Sequence, residues 1–169
     1  EMTLLNSIVE NNTIERNNFN FIYGNVFNSG YLKAYNNIFK NNTAYYKPPN
    51  LGYEGCPTIY NVGDLDLSYN AFIDNIGGFV KIYRDVYLNG GKSVNIDNNW
   101  WGSNANPFTT QAVNIDLVNS WFVLDVEPKY SSLKINEAVD IVASWKLSNG
   151  LEPEFLLPLE VIFIDEFGN

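Results

Sequence analysis

The chain contains no histidine and only one cysteine and one methionine. Without histidine it lacks the side chain that changes charge between pH 5 and 8 and that most often ligates transition metals, so most hydrolytic and metalloenzyme mechanisms lose their central group. Cys56 has no second cysteine to pair with, which excludes an intramolecular disulfide and a thiolate metal cage and leaves the redox compartment unread. Basic residues are also scarce, 10 against 19 acidic, for a net charge of −9. That sign repels nucleic-acid backbones and anionic membrane surfaces, so neither is expected as a partner. No stretch approaches the roughly 20 apolar residues of a membrane-spanning helix, and no direct membrane insertion is expected in this segment. The start, Glu1-Met2-Thr3-Leu4, lacks the basic region of an export signal, and any such signal or anchor is expected outside it.

What remains is ample for a core: 169 residues with 46% hydrophobic content. The acidity is uneven, with 7 basic and 9 acidic residues in 1–107 but 3 and 10 in 108–169, which implies two regions with different surfaces. Asparagine is the unusual letter. Of 27 copies, 22 precede Pro107, although Asn suits neither helix interiors nor ordinary strands.

Its spacing explains the tolerance. Four segments align: Ser7 to Asn12, Asn37 to Asn42, Asn70 to Asn75 and Asn99 to Asn104, at shifts of 30, 33 and 29 residues. Upstream of each lies an alternating apolar pair, Met2 and Leu4, Leu32 and Ala34, Leu65 and Leu67, then Val94 and Ile96, with Gly30, Gly63 and Gly91 before three of them. A second short strand signature recurs as Phe21-Ile22-Tyr23, Thr58-Ile59-Tyr60 and Val80-Lys81-Ile82-Tyr83. Short strands at a period of about 30 residues predict a coiled parallel β architecture. Stacked coils would place Ile8, Ile38, Ala71 and Trp100 in one column and Val9, Phe39, Phe72 and Trp101 in its neighbour, with the inward one left open. Asn12, Asn42, Asn75 and Asn104 would hold the turns, tolerate left-handed backbone and bond along the column as a ladder. The longest connection, Ala44 to Pro57, carries Tyr45, Tyr46 and Tyr53. These are candidate partner-binding residues, or else tyrosines that pack back onto the coil edge.

The string Asn98 to Pro107 holds adjacent Trp100 and Trp101, a pair suited to closing the open end of such a core. Beyond a linker at 108–120, ordinary strands are expected at Trp121 to Val126, Ser132 to Ile135, Val139 to Leu147 and Leu157 to Ile164, with Trp145 in a core. A full immunoglobulin-type sandwich needs about seven strands, so 121–169 reads as a partial one.

The repeated Asn turns, the Trp100-Trp101 string and the strand-rich region from Trp121 together resemble the adhesin-like surface proteins of methanogenic archaea. The resemblance implies an all-β chain: a right-handed parallel β-helix of about four coils over 1–107, then a partial immunoglobulin-like sandwich, with further Ig-like repeats of the same protein as neighbours. It implies an extracellular or cell-surface location and a non-enzymatic role in attachment to another cell surface, an extracellular glycan or a protein. No cofactor and no metal is expected.

Parallel β-helices also carry polysaccharide lyases and glycoside hydrolases, and only a site can decide between the classes. A lyase would want a carboxylate cluster near a basic residue, for which Asp64 and Asp66 with Lys33, Lys81, Arg84 and Asp85 are the nearest candidates. A glycosidase would need two carboxylates flanking a groove, for example Asp64 with Asp97 or Asp66 with Asp74. A charge pair at spacing two is equally a solvated strand face. Asn11-Asn12-Thr13 and Asn41-Asn42-Thr43 are sequons, making Asn11 and Asn41 candidate glycosylation sites, though Asn-rich turns also produce sequons by chance.

Overall fold

The computed structural model describes residues 1–16, 24–46, 54–82, 91–127 and 140–163. It is all-β, with no helix among the described residues and mostly parallel sheets. The first winding comprises β1 (Met2–Leu5), β2 (Ile8–Glu10), β3 (Thr13–Arg16) and β4 (Val26–Asn28). The second comprises β5 (Tyr31–Tyr35), β6 (Ile38–Lys40), β7 (Thr43–Tyr46), β8 (Glu54–Cys56) and β9 (Ile59–Asn61); the third, β10 (Asp64–Ser68), β11 (Ala71–Ile73) and β12 (Val80–Ile82). β13 (Val94–Asn95) opens the next.

Equivalent strands of successive windings pair in parallel. The order β1-β5-β10-β13 aligns Met2, Leu32, Leu65 and Val94. β2-β6-β11 aligns Ile8, Ile38 and Ala71, and an isolated bridge adds Trp100. Both registers agree with the sequence period, and together they make a β-helix-like stack. The third face differs from expectation: β9 and β12 pair as anticipated, but their neighbour is Val26–Asn28. Phe21 to Tyr23 lie outside the described residues.

β1, β2, β5, β6, β10 and β11 are short because each ends at a residue in left-handed backbone. Asn6, Asn36, Tyr69 and Asn98 (φ 49°, 56°, 57° and 58°) stand at one corner, and Asn11, Asn41 and Asp74 (φ 56°, 51° and 51°) at the next. Asn and Asp reach this region at the least cost among residues with a side chain. The following residue builds the ladder, so the two jobs assigned to one asparagine are divided between neighbours. At the second corner, Asn12 donates through its backbone N–H and Nδ2 to Asn42 Oδ1 (3.3 and 2.9 Å), and Asn42 likewise to Asn75 Oδ1 (2.9 and 2.9 Å). At the first corner Asn37 donates in the same way to Asn70 (3.0 and 2.8 Å) and Asn70 to Asn99 (2.9 and 3.0 Å). This second ladder is fully buried. Its amide nitrogens also reach Leu4, Ala34 and Leu67 carbonyls in the adjoining winding. Each buried amide thus satisfies backbone groups that the bend would strand, at a cost of about 1–3 kcal/mol per orphan if it were absent.

Asn104 does not continue the column. Gly102 turns away at φ 81°, and the Asn104 side chain instead accepts from Leu124 N (2.7 Å) and donates to Leu124 O (2.9 Å).

The structure decides which column faces inward. Phe39, Phe72 and Trp101 are buried and stack face to face, with centroids 4.9 Å apart and planes 8° apart at both steps. That spacing is the roughly 4.8 Å rise between paired strands. Leu32, Leu65, Leu67, Ile59 and Val80 complete the core around them. Ile8 is 63% exposed, and its column ends at Trp100, half-buried on the outside.

The tryptophan pair does not close the core alone. Residues 108–120, expected as a linker, carry Ala112, Val113 and Val118 into the same core, and bridges Val80 to Val113 and Asn99 to Trp121 extend two faces by a further step. After this, β14 (Phe122–Glu127) and β15 (Val142–Leu147) pair antiparallel, with Phe122 opposite Leu147 and Leu124 opposite Trp145. Trp145 is half-buried, wedged edge-on against Trp100 (4.9 Å) and Phe122 (6.2 Å). Tyr35, Tyr69 and Phe155 join this cluster, which fastens the second region to the flank of the stack. Ser132 to Ile135 lie outside the described residues. Residues 157–163 form no strand, because Leu157 is buried in that aromatic cluster and not in a sheet.

Candidate functional site

The insertion between Ala44 and Pro57 begins and ends as a hairpin. β7 and β8 pair antiparallel, with Ala44 opposite Cys56, both buried against Ile14. Tyr45 stays close to the stack, donating its hydroxyl to a Glu15 carboxylate oxygen at 3.2 Å in the preceding winding. The Tyr46 side chain and Tyr53 lie outside the described residues. Asn11 and Asn41 are exposed at neighbouring left-handed corners, with Asn41 Nδ2 3.5 Å from Asn11 Oδ1. Thr13 and Thr43 of the two sequons begin paired strands.

The carboxylates considered for catalysis are engaged with their neighbours. Asp64 accepts from the Ser93 backbone N–H (2.8 Å) and from Lys92 Nζ (3.2 Å), and these contacts, the first above all, hold its carboxyl below the usual aspartate range. Asp66 accepts from Asn95 Nδ2 (2.9 Å) and Ser68 Oγ (3.3 Å). Asp97 accepts from the Asn119 N–H (2.7 Å) and amide (3.1 Å), fixing a turn. Asp74 is the left-handed corner residue. Lys33 lies over Tyr35 and Lys81 over Tyr60, each 5.9 Å from the ring centroid; Arg84 and Asp85 lie outside the described residues. Among the described residues no group of three or more His, Cys, Asp or Glu side chains stands where it could hold a metal ion.

A cleft that the sequence did not mark opens at the far end of the third face. Asn106 starts a tight turn, its Oδ1 accepting from Phe108 N (2.9 Å), and Gln111 ends it at φ 62° with its N–H on Phe108 O (3.1 Å). Opposite runs Gly77-Gly78, at φ 99° and 92°. A Cβ on Gly78 would sit 3.5 Å from Gln111 O, so the two walls approach closely at their base. Between them lies a cavity of about 520 Å³ lined by Pro57, Val80, Lys81, Phe108, Thr109, Gln111 and Asn114 among others. A second arm of about 440 Å³ shares Gly77, Gly78 and Gln111 and reaches Phe79 and Trp101. The signal available in the sequence was the Gly-Gly pair and the polar turn after Pro107, which are about 30 residues apart and meet only because the coil returns.

No family model matches the chain, and no curated protein or solved structure matches it.

Proposed function

We propose that the stack is a right-handed parallel β-helix, that β14 and β15 begin an immunoglobulin-like unit, and that the whole serves as a non-enzymatic adhesion module at the cell surface. It would bind another cell, an extracellular glycan or a protein through its outer faces and loops. The observation that carries the reading is the rigid stack itself: its buried positions are filled by aromatic and aliphatic columns and amide ladders. The second region is fastened to the stack's flank by Trp100, Trp145 and Phe122. A rod with a second unit fixed to it transmits force without a hinge, which is what attachment asks of a scaffold. The resemblance to adhesin-like surface proteins points the same way.

The lyase and glycosidase alternative asks for carboxylates free to hold calcium or to shuttle protons. Asp64, Asp66 and Asp97 are instead bonded to Lys92, Ser93, Asn95, Ser68 and Asn119. The test sets both classes side by side. The purified chain is incubated with pectin-like and related glycans in calcium and assayed for new reducing or unsaturated ends, while its retention on cells and glycan-coated surfaces is measured in parallel. Retention without turnover is expected; sustained turnover would replace the adhesion reading with the enzymatic one.

A further inference from the structure

We infer that the second corner of the coil is a modification site for an N-linked oligosaccharide, with Asn11 and Asn41 as its acceptors. This rests on the cell-surface reading, because the transfer acts on exported chains. The sequons Asn11-Asn12-Thr13 and Asn41-Asn42-Thr43 lie in register in adjacent windings, since Thr13 pairs with Thr43. The alternative is that turn chemistry alone wrote them, and the two corners of the coil separate these possibilities. Both corners set a left-handed residue before the ladder position. At the first corner the residue after these two is Ile8, Ile38, Ala71 or Trp100, apolar in every winding. At the second corner it is apolar again in the third winding, as Ile76. The turn therefore asks for its first two residues and not for a threonine. Asp74, left-handed at φ 51°, shows further that the acceptor position needs no amide for the sake of its backbone. Asparagine and threonine coincide in the first two windings without the fold requiring either.

The amides at this corner are also spare. Asn11, Asn41 and Thr13 are exposed, and Thr43 is half-buried. At the first corner the equivalent amide is engaged, with Asn36 Nδ2 donating to Asn6 Oδ1 at 2.7 Å. At the second, Asn41 Nδ2 stands 3.5 Å from Asn11 Oδ1, the outer limit of such a bond, and Asn11 Nδ2 donates to nothing among the described residues. Asn12 and Asn42 hold the turn with their own amides, so a sugar on their neighbours removes no bond that keeps the windings in register. The transfer needs as co-reactant an oligosaccharide linked through its anomeric carbon to a lipid phosphate. The bond from that carbon to the phosphate oxygen breaks, the lipid phosphate leaves with the electron pair, a bond to Nδ2 forms, and Nδ2 gives up one of its two protons. The other N–H remains. Because the two acceptors stand one interstrand spacing apart, about 4.8 Å, their glycans leave side by side along one outer edge of the stack.

The test isolates the chain from the cells that make it, separately from their surface and cytoplasmic fractions. Intact mass is measured before and after chemical deglycosylation, and the modified peptides are mapped. The surface chain is expected to lose mass on deglycosylation, with the sugar located at Asn11 and Asn41. Thr13→Val and Thr43→Val keep the β-branch that starts each strand and leave the corner asparagines in place, but they destroy the sequons. Each should lose the sugar of its own site, and the double variant should lose it altogether. Thr13→Ser and Thr43→Ser preserve the sequons and should keep the added mass. An unshifted wild-type mass overturns the inference, and so does a sugar that persists in the double valine variant. Surface chain without sugar removes this site and leaves the cell-surface reading standing, whereas chain found only in the cytoplasm removes both.

Discussion

A Cβ on Gly63 would lie 2.1 Å from the carbonyl oxygen of Gly30, whereas a Cβ on Gly30 would meet nothing within 4 Å. The two occupy equivalent corners of successive windings, but Gly63 has a winding packed against it on the side where its side chain would go. Gly63→Ala is therefore expected to cost about 3 kcal/mol through backbone displacement, and Gly30→Ala to stay within about 0.5 kcal/mol. Urea unfolding of the two variants checks this, and equal losses would contradict the stacking at that corner. The asparagines divide in the same way. Asn70 accepts from two groups of Asn37 and donates to the Ala34 and Ser68 carbonyls while fully buried. Asn70→Ala leaves several of these unsatisfied and should cost about 3 kcal/mol or more. Asn41 is exposed and valued for its backbone angle, so Asn41→Gly should change stability by no more than about 0.5 kcal/mol. A chemical denaturation series in which both substitutions cost the same would mean the two corner roles are not separate.

At the scale of the strand and the winding, what the sequence makes legible is whatever the period controls. The shifts of 30 and 33 residues place Leu32 over Met2 and Leu65 over Leu32, and Phe72 over Phe39, as observed. Hydrogen-bonded stacking requires equivalent residues to coincide, so the count alone carries the register. Three features escaped because they depend on something other than the count. Val26–Asn28 pairs with β9 in place of Phe21 to Tyr23, since the connection before it absorbs a variable number of residues. Asn104 follows a glycine that turns the chain out of its winding, so its amide meets Leu124 instead of the ladder. Ala112, Val113 and Val118 lie in a stretch where Val113, Ile115 and Leu117 alternate with Asn114 and Asp116 but which falls beyond the last Asn-marked repeat, so the period does not register it, yet it covers the end of the core. The cleft was invisible for a related reason, as its walls come from different windings. The junction offers a direct test at this scale: Trp100 and Trp145 meet edge to face across two regions of the chain. A double-mutant cycle with Trp100→Ala and Trp145→Ala should give a coupling of about 0.5–1.5 kcal/mol. Additive losses would mean the two regions are only adjacent, and a force-transmitting junction would lose its main support.

For the whole molecule, stability in a stacked coil is close to a sum of winding energies and nearest-neighbour interfaces, so it need not be uniform along the axis. The middle windings have paired strands on both sides: β5 lies between β1 and β10, and β6 between β2 and β11. Among the described residues the first winding is paired on one side only, and Met2 is 48% and Ile8 63% exposed. At the other end, residues 112–121 and the aromatic cluster around Phe122 cover the core. Opening should therefore begin at β1 and β2 and advance toward the tryptophans. Native-state hydrogen exchange is expected to show this as a gradient. The Asn6 and Asn11 amides, which tie the first winding to the Tyr35 and Lys40 carbonyls of the second, should exchange early. The Ala71 and Phe72 amides, bonded to Asn37 and Trp100 carbonyls within the stack, should exchange last, near the global unfolding limit. If all of these amides exchanged at one common free energy, the windings would be a single cooperative block, and the exposed first winding would be held by the rest as firmly as the covered ones.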